Sequence, residues 1–276
     1  MLAPLLLAAA ALADPPLSAG YRLVDAGHDL DAPVALVVLT PGVAEAAFQP
    51  LVTALEDAGL DAWTVAVTAV APLPEEGADR WIAEFLLPAA VAALRAREPR
   101  AAALALVGHG PGGTLALMTA PRVAPRAVAV LGAPLGPIPS LALEELAARP
   151  LSAVGSVDLA QPHDWRGHDL ATLLLGDPPL PLAPLPVPLA RAWLRWAAEG
   201  PPLDPATLFF PVFVGAAALD HLVPVETVHA PAERMPDATF VRFGLLRLDL
   251  IDPEHSDLLR ERRFLDEVAG WVKGQL

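Results

Sequence analysis

The chain of 276 residues contains no cysteine. A disulfide framework, a thiolate nucleophile, a cysteine zinc site and a lipid-modified N-terminal cysteine are therefore excluded. It also lacks asparagine and has one lysine, Lys273, so almost all positive charge is carried by arginine. That bias reads as a genome-wide codon preference rather than selected chemistry. Positive charge is scarce as well: 18 basic against 32 acidic residues leave a net charge of −14. Nucleic acid is thereby excluded as a partner, because phosphates need Lys and Arg to displace their counterions. After the N-terminus no apolar run reaches membrane-spanning length before Pro, Gly or a charge interrupts it, so no stable transmembrane span is expected.

What the sequence does have is apolar bulk. Hydrophobic residues make up 54%, enough to bury one large core, with or without an inserted cap. Residues 1–13 form a short apolar run ending in Ala11-Leu12-Ala13 before Asp14. This reads as the apolar stretch and small-x-small cleavage site of a secretory signal peptide, without the usual basic start. An uncleaved apolar tail or a misassigned start codon are the alternatives. Export, to a periplasm or the exterior, follows from the first reading and a cytoplasmic location from the others.

Residues 34–40 form a continuous apolar, β-branched run that ends in Pro41-Gly42, the mark of a buried strand meeting a turn. Residues 44–59 have helical spacing through Phe48, Leu51, Val52 and Leu55, and residues 61–67 form a second strand. Asp79 is placed to cap a helix running to about residue 97. Further strands are expected at 102–107, 126–131, 210–215 and 239–245, with helices at about 111–119 and 256–272. Strands apolar on both faces, alternating with helices, predict an α/β fold: a mostly parallel central sheet with helices on both faces. Ligands of such sheets bind at the carboxyl ends of the strands, which here bring the segments after Thr40, Val107, Gly215 and Leu245 to one edge.

The alternation breaks between residues 132 and 207, a Pro- and Leu-rich stretch with helical pieces near 140–149 and 188–199. So long an excursion predicts a lid or binding element. The expected division is a signal peptide at 1–13, core halves at 14–133 and 208–276, and an inserted cap at 134–207. Two His-Asp pairs in the cap, His163-Asp164 and His168-Asp169, match no metal-ligand spacing and read as exposed polar residues. No metal and no cofactor is expected.

One turn concentrates the chemistry. A buried strand runs into Gly108-His109-Gly110-Pro111-Gly112-Gly113 and then a helix. Small residues around a tight strand-to-helix turn are what a Gly-x-Ser-x-Gly nucleophile elbow requires. Two later segments follow strands in turn: Asp220-His221-Leu222-Val223-Pro224, and Asp252-Pro253-Glu254-His255-Ser256-Asp257-Leu258-Leu259. Elbow, acid loop and histidine loop, in that order, resemble the α/β-hydrolase superfamily over roughly residues 30–135 and 208–275.

The resemblance implies roles and also departures. Asp220 would orient His255, and His255 would be the general base. The nucleophile position, however, holds Gly110, as in pseudohydrolases of the superfamily. Pro111 follows it, where the second oxyanion donor should be, and proline has no N–H. Val43, after Pro41-Gly42, would supply the remaining donor. Substitute nucleophiles are not favoured: Thr114 lies inside the helix, Ser152 and Ser156 in the cap without a motif, and Ser256 beside His255. Three functions stay open. The first is a non-catalytic protein binding a small apolar or acyl ligand, or a protein partner. The second is an enzyme using the His255–Asp220 dyad for proton abstraction or water activation. The third is a hydrolase with a displaced serine.

Overall fold

The structure, a computed structural model, describes residues 20–25, 31–40, 45–67, 73–137, 187–218, 223–243, 259 and 261–276. Seven strands form one sheet: β1 (Tyr21–Asp25), β2 (Val34–Val38), β3 (Asp61–Val67), β4 (Ala105–His109), β5 (Ala127–Leu131), β6 (Val212–Ala217) and β7 (Ala238–Phe243). Their spatial order is β1-β3-β2-β4-β5-β6-β7, with β1 antiparallel to β3 and every other pairing parallel. The central strands β2, β4, β5 and β6 are buried at every residue, as a sheet covered on both faces demands.

Alternation along the strands sorts their side chains into two cores. Val34, Leu36, Val38, Leu106, Val128, Val130, Val212 and Val214 face one layer. That layer contains α2 (Ala78–Trp81), a π-helical turn (Ile82–Leu86), α3 (Leu87–Arg97), α4 (Pro111–Val123), α5 (Val187–Glu199) and α6 (Val225–Glu233). The opposite face presents Ala35, Ala62, Ala105, Ala127 and Ala129, and α1 (Gln49–Asp57), with Phe48 just before it, and α7 (Arg262–Gln275) fill it with Phe48, Leu51, Leu55, Phe264 and Leu265. Small strand residues on that side leave room for bulky helix residues, which is how an interior reaches crystal-like density.

Local chemistry explains several boundaries. Gly59 at φ 80° ends α1: its N–H reaches Glu56 O at 2.8 Å and Leu60 N–H reaches Leu55 O at 3.0 Å, the paired bonds of a Schellman cap. The single lysine reinforces that end, since Lys273 Nζ donates to Ala58 O at 2.7 Å from α7. The π-helical turn ends two residues before Pro88, which has no N–H to continue an α-helical ladder.

The sheet and its helical cover agree with the sequence reading, while some bounds and roles differ. The expected strand at 102–107 begins instead at Ala105, after a 3-10 turn at Pro99–Ala103, because alanines signal burial but not extension. The strand expected from 210 begins at Val212, since Pro211 cannot donate to the ladder; its carbonyl accepts from Val128 N–H. Helix α4 runs on from Thr119 to Val123. Asp79 is not a helix cap: Gly77 holds that position at φ 68°, and Asp79 is buried inside the helix. Residues 1–13, 140–149 and 256–258 lie outside the described residues. At the margins of the long excursion the chain comes back to where it left: a methyl group on Gly200 (φ 83°) would lie 3.2 Å from Pro137.

Candidate active site

The β4–α4 turn sits at the carboxyl edge of the sheet, between β2 and β5. Its apex is Gly110, with φ 53° and ψ −136°. Side chains rarely adopt such angles, which cost a residue other than glycine about 1–3 kcal/mol. Pro111 then occupies the first helical position, where its missing N–H disturbs no ladder.

Three further glycines let the turn close. A methyl group on Gly108 would lie 2.6 Å from Gly113 Cα, and one on Gly112 would lie 2.4 Å from Val38 O. One on Gly113 would meet Ala133 Cβ and Gly108 O, both at 2.9 Å. Strand end, helix start and the end of β2 therefore touch backbone to backbone. The spacing of glycines in the sequence has this steric origin.

The apex peptide is held from both sides. Gly110 N–H donates to Leu131 O of β5 at 2.8 Å, and the preceding carbonyl, His109 O, accepts from Thr40 Oγ1 at 2.8 Å. Thr40 is buried and immediately precedes residues 41–44; just beyond them, Glu45 accepts from Thr64 Oγ1 at 2.9 Å and pairs with Arg22. The His109 ring is buried and meets Phe48 edge-on, with centroids 6.1 Å apart. Burial holds its imidazole well below the usual range, at about 3, so it is neutral at ordinary pH. Thr114, weighed above as a substitute nucleophile, spends its hydroxyl on Pro134 O at 2.8 Å.

Of the residues singled out in the sequence, Gly110 and Pro111 stand at the turn as described. Val43, Asp220 and His255 lie outside the described residues, as do Ser152, Ser156, Ser256, His163, Asp164, His168 and Asp169. Strands β6 and β7, which lead to the two segments carrying Asp220 and His255, are parallel neighbours with Gly215 opposite Val241 and Ala217 opposite Phe243. Among the described residues no group of three or more His, Asp or Glu could hold a metal, and no helix is long and apolar enough to cross a membrane. Sequence reasoning missed the contacts made by Thr40 and His109 and took Asp79 for a helix cap. The one local signal was a polar residue closing an otherwise apolar strand run, at Thr40.

The seven-stranded, mostly parallel sheet with helices on both sides and a glycine-lined β4–α4 turn defines the α/β-hydrolase fold. The chain is similar to a thermophilic esterase from Thermogutta terrifontis (TM-score 0.56, 17% identity, covering 92% of this chain and 93% of that one). It is similar also to a monoacylglycerol lipase from Paleococcus ferrophilus (TM-score 0.58, 16% identity, 93% and 99% covered). A third similar structure is an α/β fold family hydrolase from Bacillus anthracis (TM-score 0.58, 14% identity, 91% and 96% covered). No protein-family model matches the sequence, and neither does any curated protein.

Proposed function

We propose that this chain is an α/β-hydrolase-fold protein without a serine nucleophile, acting by binding rather than through an acyl-enzyme. The observation that carries the reading is Gly110 at the apex of the β4–α4 turn, at φ 53° and ψ −136°. In this fold that position presents the nucleophile, and glycine presents none. Pro111 removes the neighbouring oxyanion donor, and Thr114 is engaged elsewhere. Loss of the nucleophile leaves at best roughly 10³ to 10⁴ over water, and loss of one donor a further factor of roughly 10² to 10³. The bound species is a small apolar or acyl ligand under a cap formed by residues 134–207, or a protein partner. Residues 14–133 and 208–276 supply the two halves of the core. Residues 1–13 direct export, which fractionation of cells expressing the full chain tests directly.

A second reading rests on the adjacency of β6 and β7. It makes His255 a base oriented by Asp220, abstracting a proton or activating water without a covalent intermediate. Val43 then remains as the single oxyanion donor. Assays on short- and medium-chain esters separate the two. The binding reading predicts no turnover that depends on His255, and activity only when Gly110→Ser is combined with Pro111→Met. Appreciable turnover by the natural protein, abolished by His255→Ala, would replace it with the dyad enzyme. Covalent capture of a serine-directed phosphonate by the natural protein would point instead to a displaced nucleophile.

A further inference from the structure

Asp79, the second residue of α2, is fully buried, and both of its carboxylate oxygens are bonded to one helix. Arg195 Nη2 donates to Oδ1 at 3.0 Å, and Trp196 Nε1 donates to Oδ2 at 2.8 Å. The donors are consecutive residues of α5, near the end of the long excursion in sequence. Helix α5 also buries Leu189, Ala192 and Trp196, a stripe at helical spacing, against the core that contains Ile82 and Leu86. Just past its end, Gly200 lies against Pro137, and Gly200 N–H donates to Trp196 O at 2.8 Å.

We infer that Asp79, Arg195 and Trp196 form a latch that fixes α5 to the core, making it the stationary foot of the excursion rather than a moving lid. The reason is electrostatic. Lifting α5 breaks both charge-assisted bonds to Asp79 at once, and a partial opening that keeps water out leaves the carboxylate uncompensated. Apolar packing alone would let the helix lift and settle again. The buried charge makes lifting unfavourable until water reaches the site. Any rearrangement that admits a ligand therefore proceeds with α5 in place. The inference holds whether the site binds or catalyses.

Amide hydrogen exchange on the full chain, read by mass spectrometry at neutral pH, tests it. Residues 191–199 are expected to exchange as slowly as those of α4. The double variant Arg195→Gln, Trp196→Phe keeps the helix's shape but strands the charge, and should accelerate exchange in α5 by about a hundredfold while α1 and α7 stay unchanged. Adding Asp79→Leu removes the stranded charge and should return only part of the lost protection, because apolar packing then holds α5 without the two bonds; full return would overturn the inference. If the double variant does not fold, Arg195→Gln alone should give the same pattern with about a tenfold rise. Fast exchange of α5 in the natural protein would overturn the inference. So would unchanged α5 exchange in the variants, or an acceleration shared equally by α1, α4 and α7.

Discussion

The Thr40 hydroxyl donates to the carbonyl oxygen of His109 across 2.8 Å, tying the segment just past β2 to the residue before the turn apex. The bond is buried, so its acceptor cannot turn to water when the donor is removed. Thr40→Val keeps the shape and deletes the hydroxyl. It should lower stability by about 1–3 kcal/mol, seen as a lower urea midpoint with an unchanged m-value.

Gly110 is held at angles suited to glycine. Gly110→Ala should cost about 1–3 kcal/mol in equilibrium unfolding, since an added side chain raises backbone strain there. A neutral or stabilising result would mean that the apex relaxes to ordinary angles in solution.

Glycines elsewhere should behave in opposite ways. Gly112→Ala drives a methyl group to 2.4 Å from Val38 O, a backbone atom that cannot step aside. It should cost about 3 kcal/mol or prevent folding. Gly270 in α7 is exposed and has nothing within 4 Å of a new methyl group, so Gly270→Ala should stabilise by about 0.5–1 kcal/mol. Thermal unfolding of both variants tests the contrast.

His109 makes stability depend on pH. Its native value lies at about 3, whereas an unfolded histidine titrates near ~6.5. Between those values the unfolded chain binds a proton that the native state does not, so stability rises with pH and falls on acidification. The slope from this one group is up to about 1.4 kcal/mol per pH unit below pH ~6. His109→Gln should remove that component. Comparing unfolding free energies of the two proteins between pH ~4 and ~7 cancels groups common to both.

Much of the sheet was legible because its central strands are buried on both faces and read as unbroken apolar runs. β3 lies at the expected residues, and β2 and β5 within them. β1 escaped notice because Tyr21–Asp25 is only half-buried and is defined by its pairing with β3, a distant segment. α6 was hidden by Pro231 inside it and by β-branched Val225, Thr227 and Val228. The β4–α4 turn was legible for a steric reason: only glycine fits where backbones meet at Gly108, Gly112 and Gly113. The bonds that hold its apex peptide were not, since Thr40 follows β2 and Leu131 ends β5, both distant in sequence. Asp79 shows the same limit, as its partners lie more than a hundred residues away.

The contact between Pro137 and Gly200 sets how this protein tolerates change in length. A chain that departs and re-enters at one doorway loads the sheet in the same way whatever lies between. Doubling such an excursion costs only about 0.6 kcal/mol in closure entropy. Segments grafted between Pro137 and α5 should thus alter what the protein meets while leaving strand order, register and the glycine-packed turn intact.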